Sequence, residues 1–459
     1  MSRSPADTIV ALATPPGIGA IGVIRISGEN SITIVQSIFR GKDLQSQASH
    51  TVHYGHIMDA GQVLDEVVVT LFKAPNSFTK ENVIEIGCHG SEYILRRVIM
   101  LLVQQGARLA EPGEFTQRAF LNGRFDLVQA EAVADLIESE SAAAHKLAID
   151  QMRGGFSKML QASRESLIEF AAMIELELDF GEEDVEFASR SDLKALILNI
   201  LNQIQPLMDS FALGNAIKNG IPVVLAGKPN AGKSTLLNAL LNEERAIVSD
   251  IAGTTRDTIE ENLNIQGVVF KLIDTAGLRD AQDQIEAIGI SKSLEKVALS
   301  TYLLFLCDAS EIGTDALLEE LRQLGKSPHE VLVIATKMDQ SDTWDGSAEY
   351  LKMEGYHCIC ISAAKKLHLD TLKQKLYDLA IHQSPSSGDI RISNLRHFEA
   401  LNQTAKSLES ALDNLDAGLS GDLLAQPIRH ALYHLGVISG AVSTDDLLEY
   451  IFSKFCIGK

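Results

Sequence analysis

Gly227-Lys-Pro-Asn-Ala-Gly-Lys-Ser234 decides how this chain is read. It has the form G-x-x-x-x-G-K-[ST]. An apolar run, 221–226, precedes it and a helical pattern, 234–241, follows. Strand, glycine loop and helix in that order form a cradle for phosphates, with backbone N–H groups of the loop and the helix N-terminus aimed at the anion. Asn230, Ala231, Gly232, Lys233, Ser234 and Thr235 are the expected contacts. Lys233 is suited to the β- and γ-phosphates, and the Ser234 hydroxyl to Mg2+.

Working outward, three further signals name the nucleotide. Asp274, Thr275, Ala276 and Gly277 follow the apolar run 268–273. An Asp at a strand end can hold magnesium through water, and a glycine there can offer its N–H to the γ-phosphate. Thr336, Lys337, Met338 and Asp339 follow the run 331–335. A carboxylate here accepts two N–H bonds from guanine that adenine cannot supply, which selects GTP. Ser362, Ala363 and Ala364 follow the run 357–361 and add backbone contacts to the guanine carbonyl. Between the first two motifs lies Ser249-Asp-Ile-Ala-Gly-Thr-Thr-Arg-Asp257, covering Ser249, Asp250, Ile251, Ala252, Gly253, Thr254 and Thr255. A switch loop carries a magnesium-binding Thr here; Thr254 and Thr255 both qualify, and Thr255 is preferred. Leu278 stands where Ras-like GTPases put a water-orienting Gln. Leucine cannot orient water, so Asp280, Asp283 and Glu286 become the candidates.

The bulk numbers narrow the partners. A length of 459 residues predicts about three domains. No apolar run reaches the ~18 residues of a membrane span, and the N-terminus lacks the basic-then-apolar order of a signal peptide. Five cysteines without a framework spacing predict a reducing, cytoplasmic setting. The net charge of −21 disfavours tight RNA binding by this chain alone, because that grip comes largely from Lys and Arg on phosphates. A basic partner is expected if RNA is the substrate.

The chain predicts an α/β and α multidomain fold. Residues 1–122 alternate strand signals (21–26, 51–58, 66–72, 83–88) with helix signals (31–39, 92–104). Helical patterns fill 126–180, broken at Gly154-Gly155, then 189–216, and resume from 394 to the end, with Thr444 as N-cap of 445–452. One helical domain interrupted by an inserted nucleotide domain is the simplest organisation; two separate helical domains are the alternative. The acidic run from Glu175 to Glu186 reads as a solvated helix end, and Cys358 and Cys360 as core packing. The terminal Cys456-Ile-Gly-Lys459 is either a frayed end or an arm that delivers a thiol, a cation and a carboxylate to a site.

Thr14-Pro-Pro-Gly17, Ile24-Arg-Ile-Ser-Gly28, Asn76-Ser-Phe-Thr79, Pro112-Gly-Glu-Phe-Thr-Gln-Arg-Ala-Phe-Leu-Asn-Gly123, Gly253-Thr-Thr-Arg-Asp257 and the terminal Cys456-Ile-Gly-Lys459 resemble the MnmE (TrmE) family of tRNA-modification GTPases over essentially the whole chain. The resemblance implies an N-terminal folate-binding and dimerisation domain (1–122), a helical domain in two pieces (123–217 and 383–459) and an inserted Ras-like P-loop GTPase domain (218–382). It implies a homodimer that works with the FAD-carrying MnmG. Together they install an aminomethyl or carboxymethylaminomethyl group on C5 of the wobble uridine of certain tRNAs, using a tetrahydrofolate (5,10-methylene or 5-formyl). It places folate on Arg25, Glu85, Arg124 and Lys459, potassium on Asn230, Ser249, Ile251 and Thr254, and magnesium on Ser234 and Thr255. Water orientation falls to Glu286, and Cys456 is a candidate catalytic thiol. Thr336 departs from the usual Asn, Arg124 from the frequent Lys, and Ser91 from a glycine. The shorter reach of Thr336 predicts weaker nucleotide binding. The other class of function, an assembly GTPase such as a ribosome-maturation switch, lacks the N-terminal and C-terminal signatures.

Overall fold

The computed structural model describes residues 7–179, 189–242, 260–274, 301–308, 314–340, 345–381 and 390–458. They form two compact units. One comprises Met1–Ile137, Asp150–Ile197 and Gln403–Lys459; the other comprises Glu138–Ile149 and Leu198–Asn402.

The first unit opens with β1 (Ile9–Leu12), β2 (Ile21–Ser27), α1 (Ser31–Ile38), β3 (Phe39–Arg40), β4 (Thr51–Asp59), β5 (Gln62–Phe72), β6 (Val83–His89), α2 (Glu92–Gln104) and β7 (Arg108–Leu109). The sheet order is β3-β4-β5-β6-β2-β1-β7. Among the described strands of this sheet, only β1 and β7 pair in parallel. Period-two alternation decides the faces. Val67, Val69 and Leu71 are buried with Ile34, Val35, Val98 and Leu102 of the two helices, whereas Val52, Tyr54 and Val68 of the other face are exposed. The expected strands 21–26, 51–58, 66–72 and 83–88 all form. Sequence reading overlooks β1, because four apolar residues before a Pro-rich turn carry no period.

A set of charges, buried at Glu114 and Arg118 and partly exposed at Asp7 and Arg108, closes this unit. The next helix, α3 (Glu114–Leu121), brings Glu114 and Arg118 one turn apart. Arg118 donates to Glu114 at 3.1 Å, to Glu81 at 3.3 Å and to Asp7. Arg108 reaches Glu114 at 2.6 Å and Asp7 at 2.8 Å. Burial pushes the carboxyls of Asp7 and Glu114 up, but bonds from these arginines outweigh it and hold both below the ordinary carboxylate range.

Helices follow: α4 (Leu127–Glu138), α5 (Ala142–Met152), α6 (Gly155–Asp179), α7 (Arg190–Asp209) and α8 (Phe211–Asn219). The helical stretches are broken more often than the pattern suggests. Besides the expected break at Gly154, α5 restarts where Ser141 Oγ accepts the Ala144 amide at 3.1 Å. The second stretch breaks at Ser210, which is buried and spends its hydroxyl on the Leu207 carbonyl, 2.7 Å, and the Ile392 amide, 3.2 Å.

Among the described residues, the second unit carries a six-stranded sheet. Its elements are β8 (Ile221–Gly227), α9 (Lys233–Asn242), β9 (Glu260–Ile265), β10 (Val268–Asp274), β11 (Tyr302–Asp308), α10 (Thr314–Gln323), β12 (Val331–Thr336), α11 (Asp345–Met353), β13 (His357–Cys360) and α12 (Leu369–Ile381). The strand order is β13-β12-β11-β8-β10-β9, parallel except for β9. Val223 and Leu225 pack with α9 and α12, and Val224 with α10 and α11, so β8 is buried on both faces as a parallel strand must be. Cys358 and Cys360 pack, partly buried, at the edge of the α10–α11 core.

The last helices are α13 (Leu395–Asp416), α14 (Gly421–Ser439) and α15 (Asp445–Phe452). In the first unit α14 packs along α6, with Arg429 donating to Glu175 at 2.7 Å. Thr444 caps α15 as expected, its hydroxyl accepting the Leu447 amide at 3.3 Å. No described helix is long and apolar enough to cross a membrane.

Candidate functional site: a nucleotide loop and a cleft at the chain ends

The strand register brings the nucleotide motifs to one edge of the second unit. Gly227 pairs with Leu306, Asp274 with Leu225, and Thr336 with Asp308, so these carboxyl ends line up. A parallel sheet opens its ligand crevice at that edge, where the chain order reverses on either side of β8. Gly227 has φ +140, and a Cβ there would lie 2.2 Å from the Leu306 carbonyl oxygen; only glycine starts the loop this close to β11. Lys233 is buried and donates through Nζ to the carbonyls of Gly227, 2.6 Å, and Lys228, 2.9 Å. The cation is thereby held in the loop beside the N-terminus of α9, where an anion gains from both. Ser234 and Thr235 stand exposed in the first turn. An exposed hydroxyl is the hard oxygen donor that Mg2+ prefers, so the residues here fit that ion.

The base corner is equally ordered. Asp339 accepts from Ser362 Oγ at 2.7 Å and lies 3.4 Å from Lys365 Nζ. The Ser362 bond above all holds its carboxyl below the usual range, so it stays an acceptor. Lys337 pairs with Asp308 at 2.6 Å. Ser362, Ala363 and Ala364 open a turn closed by the Leu367 amide on the Ser362 carbonyl, 2.9 Å. The short reach expected of Thr336 does not cut it off from the phosphate loop. Its hydroxyl lies 2.9 Å from the Ala231 carbonyl and 3.1 Å from that of Cys307, because β11 and β12 deliver it to the loop.

Of Asp274 only the backbone is described. Ser249, Asp250, Ile251, Ala252, Gly253, Thr254, Thr255, Thr275, Ala276, Gly277, Leu278, Asp280, Asp283, Glu286 and Lys459 lie outside the described residues.

Asp339→Asn keeps an acceptor for Ser362 but presents a donor to the base. GTP affinity is expected to fall roughly 10- to 150-fold, the equivalent of the ~1.5–3 kcal/mol carried by hydrogen bonds to a charged group. XTP is expected to overtake GTP. Competitive binding of the two nucleotides checks this, and an unchanged GTP preference refutes the role of Asp339.

In the first unit, Arg25 and Glu85 are direct cross-strand partners on the face of β2 and β6 opposite the helices. Two guanidinium nitrogens of Arg25 hold Glu85 Oε1, at 3.0 and 2.8 Å. A third donates to the Gly458 carbonyl at 3.2 Å. The Arg25 guanidinium also lies 5.4 Å from the Phe78 ring centre and 5.8 Å from that of Phe115, and Arg124 lies 5.1 Å from Phe78. Arg124 donates to the Ser77 carbonyl. A cleft of about 440 Å³ adjoins the pair, lined by Glu85, Phe78, Ser77 and Arg124 among others.

The terminus is docked, not frayed, as far as Gly458. Leu448, Ile451, Phe452 and Phe455 pack on Leu127 and Ala130. Gly458 is buried at φ +95, and a Cβ would meet the Leu12 carbonyl oxygen at 2.3 Å. A glycine at 458 is therefore required by close approach to β1. Cys456 is exposed, and its carbonyl accepts the Gly113 amide at 3.4 Å. The structure thus gathers Arg25, Glu85, Arg124 and Gly458, all far apart in sequence. Phe78 and Phe115 lie within the family-like stretches 76–79 and 112–123, but nothing local in the sequence tells that an aromatic will face Arg25.

A parallel sheet with a glycine loop at its reversal point defines a Ras-like P-loop GTPase domain, here carried in one chain with an antiparallel α/β domain and long helices. Residues 8–124 match the family described as GTP-binding protein TrmE N-terminus, and residues 127–456 that described as MnmE helical domain. The tRNA modification GTPase MnmE of Cytophaga hutchinsonii is 53% identical over 453 residues, covering 99% of this chain and 98% of that protein. That of Flavobacterium psychrophilum is 50% identical over 463 residues, covering 99% of each. Among solved structures, a GTP-binding protein from Sulfolobus solfataricus in complex with GDP is similar over 48% of this chain and 68% of its own, with 24% identity and a TM-score of 0.29. On its full-length relatives, this chain belongs to the MnmE family of tRNA-modification GTPases.

Proposed function

We propose that this chain binds and hydrolyses GTP with Mg2+ and K+. In this reading it acts with an FAD-carrying MnmG to place an aminomethyl or carboxymethylaminomethyl group on C5 of the wobble uridine of certain tRNAs. The one-carbon unit comes from a tetrahydrofolate. The observation that carries the reading is the Arg25–Glu85 pair, held under the Gly458 carbonyl beside a cleft. A carboxylate on a strand is an acceptor for pterin N–H groups, and arginines suit ring oxygens or the glutamate carboxylates. Lys459, next after Gly458, belongs to the same site in this reading. The folate supplies the carbon; Arg25 and Glu85 bind and orient it, and Phe78 offers an apolar wall that limits water.

In the GTPase part, Asn230, Ser249, Ile251 and Thr254 hold potassium, Ser234 and Thr255 hold magnesium, and Glu286 orients the water. The domains run 1–122, 123–217 with 383–459, and 218–382, and the protein works in the cytoplasm. A homodimer formed through the N-terminal domain is supported by its exposed apolar sheet face, where Tyr54 pairs with Val68. Nucleoside analysis of tRNA from cells lacking the protein tests the whole reading: a normal complement of wobble-modified uridine overturns it.

Potassium is testable separately. Its charge would do part of the work of an arginine finger, which is worth about 10³–10⁵ in rate. Exchanging potassium for sodium is expected to slow single-turnover GTP hydrolysis by at least about tenfold, and equal rates in both salts sink the assignment.

A further inference from the structure

The cleft in the first unit gathers basic side chains beyond the Arg25–Glu85 pair. His50, Lys80 and Arg124 line it together with Glu85, whose carboxylate is already engaged by Arg25. The chain as a whole bears a net charge of −21, so this local excess of cations is against the trend of its composition. A concave space with the aromatic walls Phe72 and Phe78 concentrates the field of Lys80 and Arg124.

The backbone gives a second, independent observation. His50, at φ 63, and Lys80, at φ 60, both occupy the left-handed region without being glycine or asparagine. Lysine rarely adopts it, and such backbone gathers at ligand sites, whereas histidine is among the side chains that visit it more often. Both residues border one cleft. Each is fixed by its surroundings. The His50 amide donates to the Leu71 carbonyl at 2.7 Å, and its ring stands edge-on to Phe72 with centres 5.4 Å apart. Lys80 Nζ donates to the Gly123 carbonyl at 2.8 Å, which sets the ammonium beside the peptide leading into Arg124. An ammonium has three donors, and this bond uses one.

We propose that His50, Lys80 and Arg124 form an anion subsite of this cleft that takes the carboxylates of a glutamyl tail on the bound folate, so that the chain prefers polyglutamylated over monoglutamylated cofactor. The subsite rests on the folate reading above. Each added glutamate brings one carboxylate, and a rim of cations discriminates by their number. Arg124 also contacts the rest of the site, whereas Lys80 and His50 serve the tail alone.

The test is equilibrium binding of 5-formyl-tetrahydrofolate with one and with three glutamates to the full-length chain. The triglutamate is expected to bind about tenfold more tightly, equal to ~1.4 kcal/mol, and the ratio is expected to shrink as KCl is raised. Lys80→Met is expected to bring the ratio close to one by weakening the triglutamate far more than the monoglutamate. His50→Asn, which tolerates the left-handed backbone, is expected to lower the ratio partway. Equal affinities for the two forms in the wild type overturn the subsite and leave the folate reading standing. Failure to bind either form overturns both. If Lys80→Met weakens tRNA binding and leaves the ratio unchanged, the cations serve RNA phosphates and the proposal is wrong. The wild-type ratio and its salt dependence decide the matter even if a variant fails to fold.

Discussion

Removing Cys456–Lys459 is expected to reduce tRNA modification to about 1% or less while GTP hydrolysis continues, since misplacing a reacting group by even ~1 Å costs about 10²-fold. The truncation takes away the Gly458 carbonyl that receives Arg25 and the buried segment against Leu12. It leaves the packing of Leu448, Ile451, Phe452 and Phe455 on α4 in place. The nucleotide loop belongs to the other unit. Modified-nucleoside yield and phosphate release, measured on the same preparation, read the two activities apart. Normal modification by the truncated chain refutes the assignment of this terminus to the site. Cys456→Ser then divides the arm's roles. Lost modification with folate still bound points to thiol chemistry at the exposed Cys456, and full activity leaves the residue without a chemical part.

Arg118→Met is expected to destabilise the first unit by ~3–5 kcal/mol, the usual result of removing one partner from a buried ionic cluster. Arg118 is only 11% exposed and Glu114 5%, so methionine leaves a carboxylate with one arginine instead of two and little water in exchange. The same cluster predicts acid sensitivity. Asp7 and Glu114 have folded-state pKa values below their ordinary ones. Their contribution is therefore complete above the ordinary carboxyl range, about pH 4–4.5, and is lost as pH falls through the depressed folded values. Hydrogen exchange of the β1, β2 and α3 amides measures both effects. Opening free energies in Arg118→Met equal to wild type, or protection that does not fall below pH 4.5, contradict the account.

Much of the second unit is legible in the chain. A parallel strand buried on both faces has a continuous apolar run, as in 221–226 and 331–335, and its glycine loop is a contiguous motif. Contiguity makes such a site readable, because one strand end and one helix start set all its geometry. The sheet strands of the first unit are legible for the same local reason, alternation of inward and outward residues. The break at Ser210 is not, because a partner that holds it is a backbone amide at 392, far along the chain, whereas the break at Ser141 rests on a local cap to the Ala144 amide.

The terminal Cys456-Ile-Gly-Lys459 marks the division most clearly. By itself the sequence determined the family signature, the GTP-selective motifs and the chemical types of Arg25, Glu85 and Arg124. Only the tertiary structure decided that the chain end is docked, that its glycine must lie against Leu12, and that Arg25 joins Glu85, Phe78 and Gly458 at one point. The physical reason is separation. Arg25 and Gly458 stand 433 residues apart, and a hydrogen bond across that span leaves no period, cap or spacing in the intervening chain; it exists only once two folded surfaces have met.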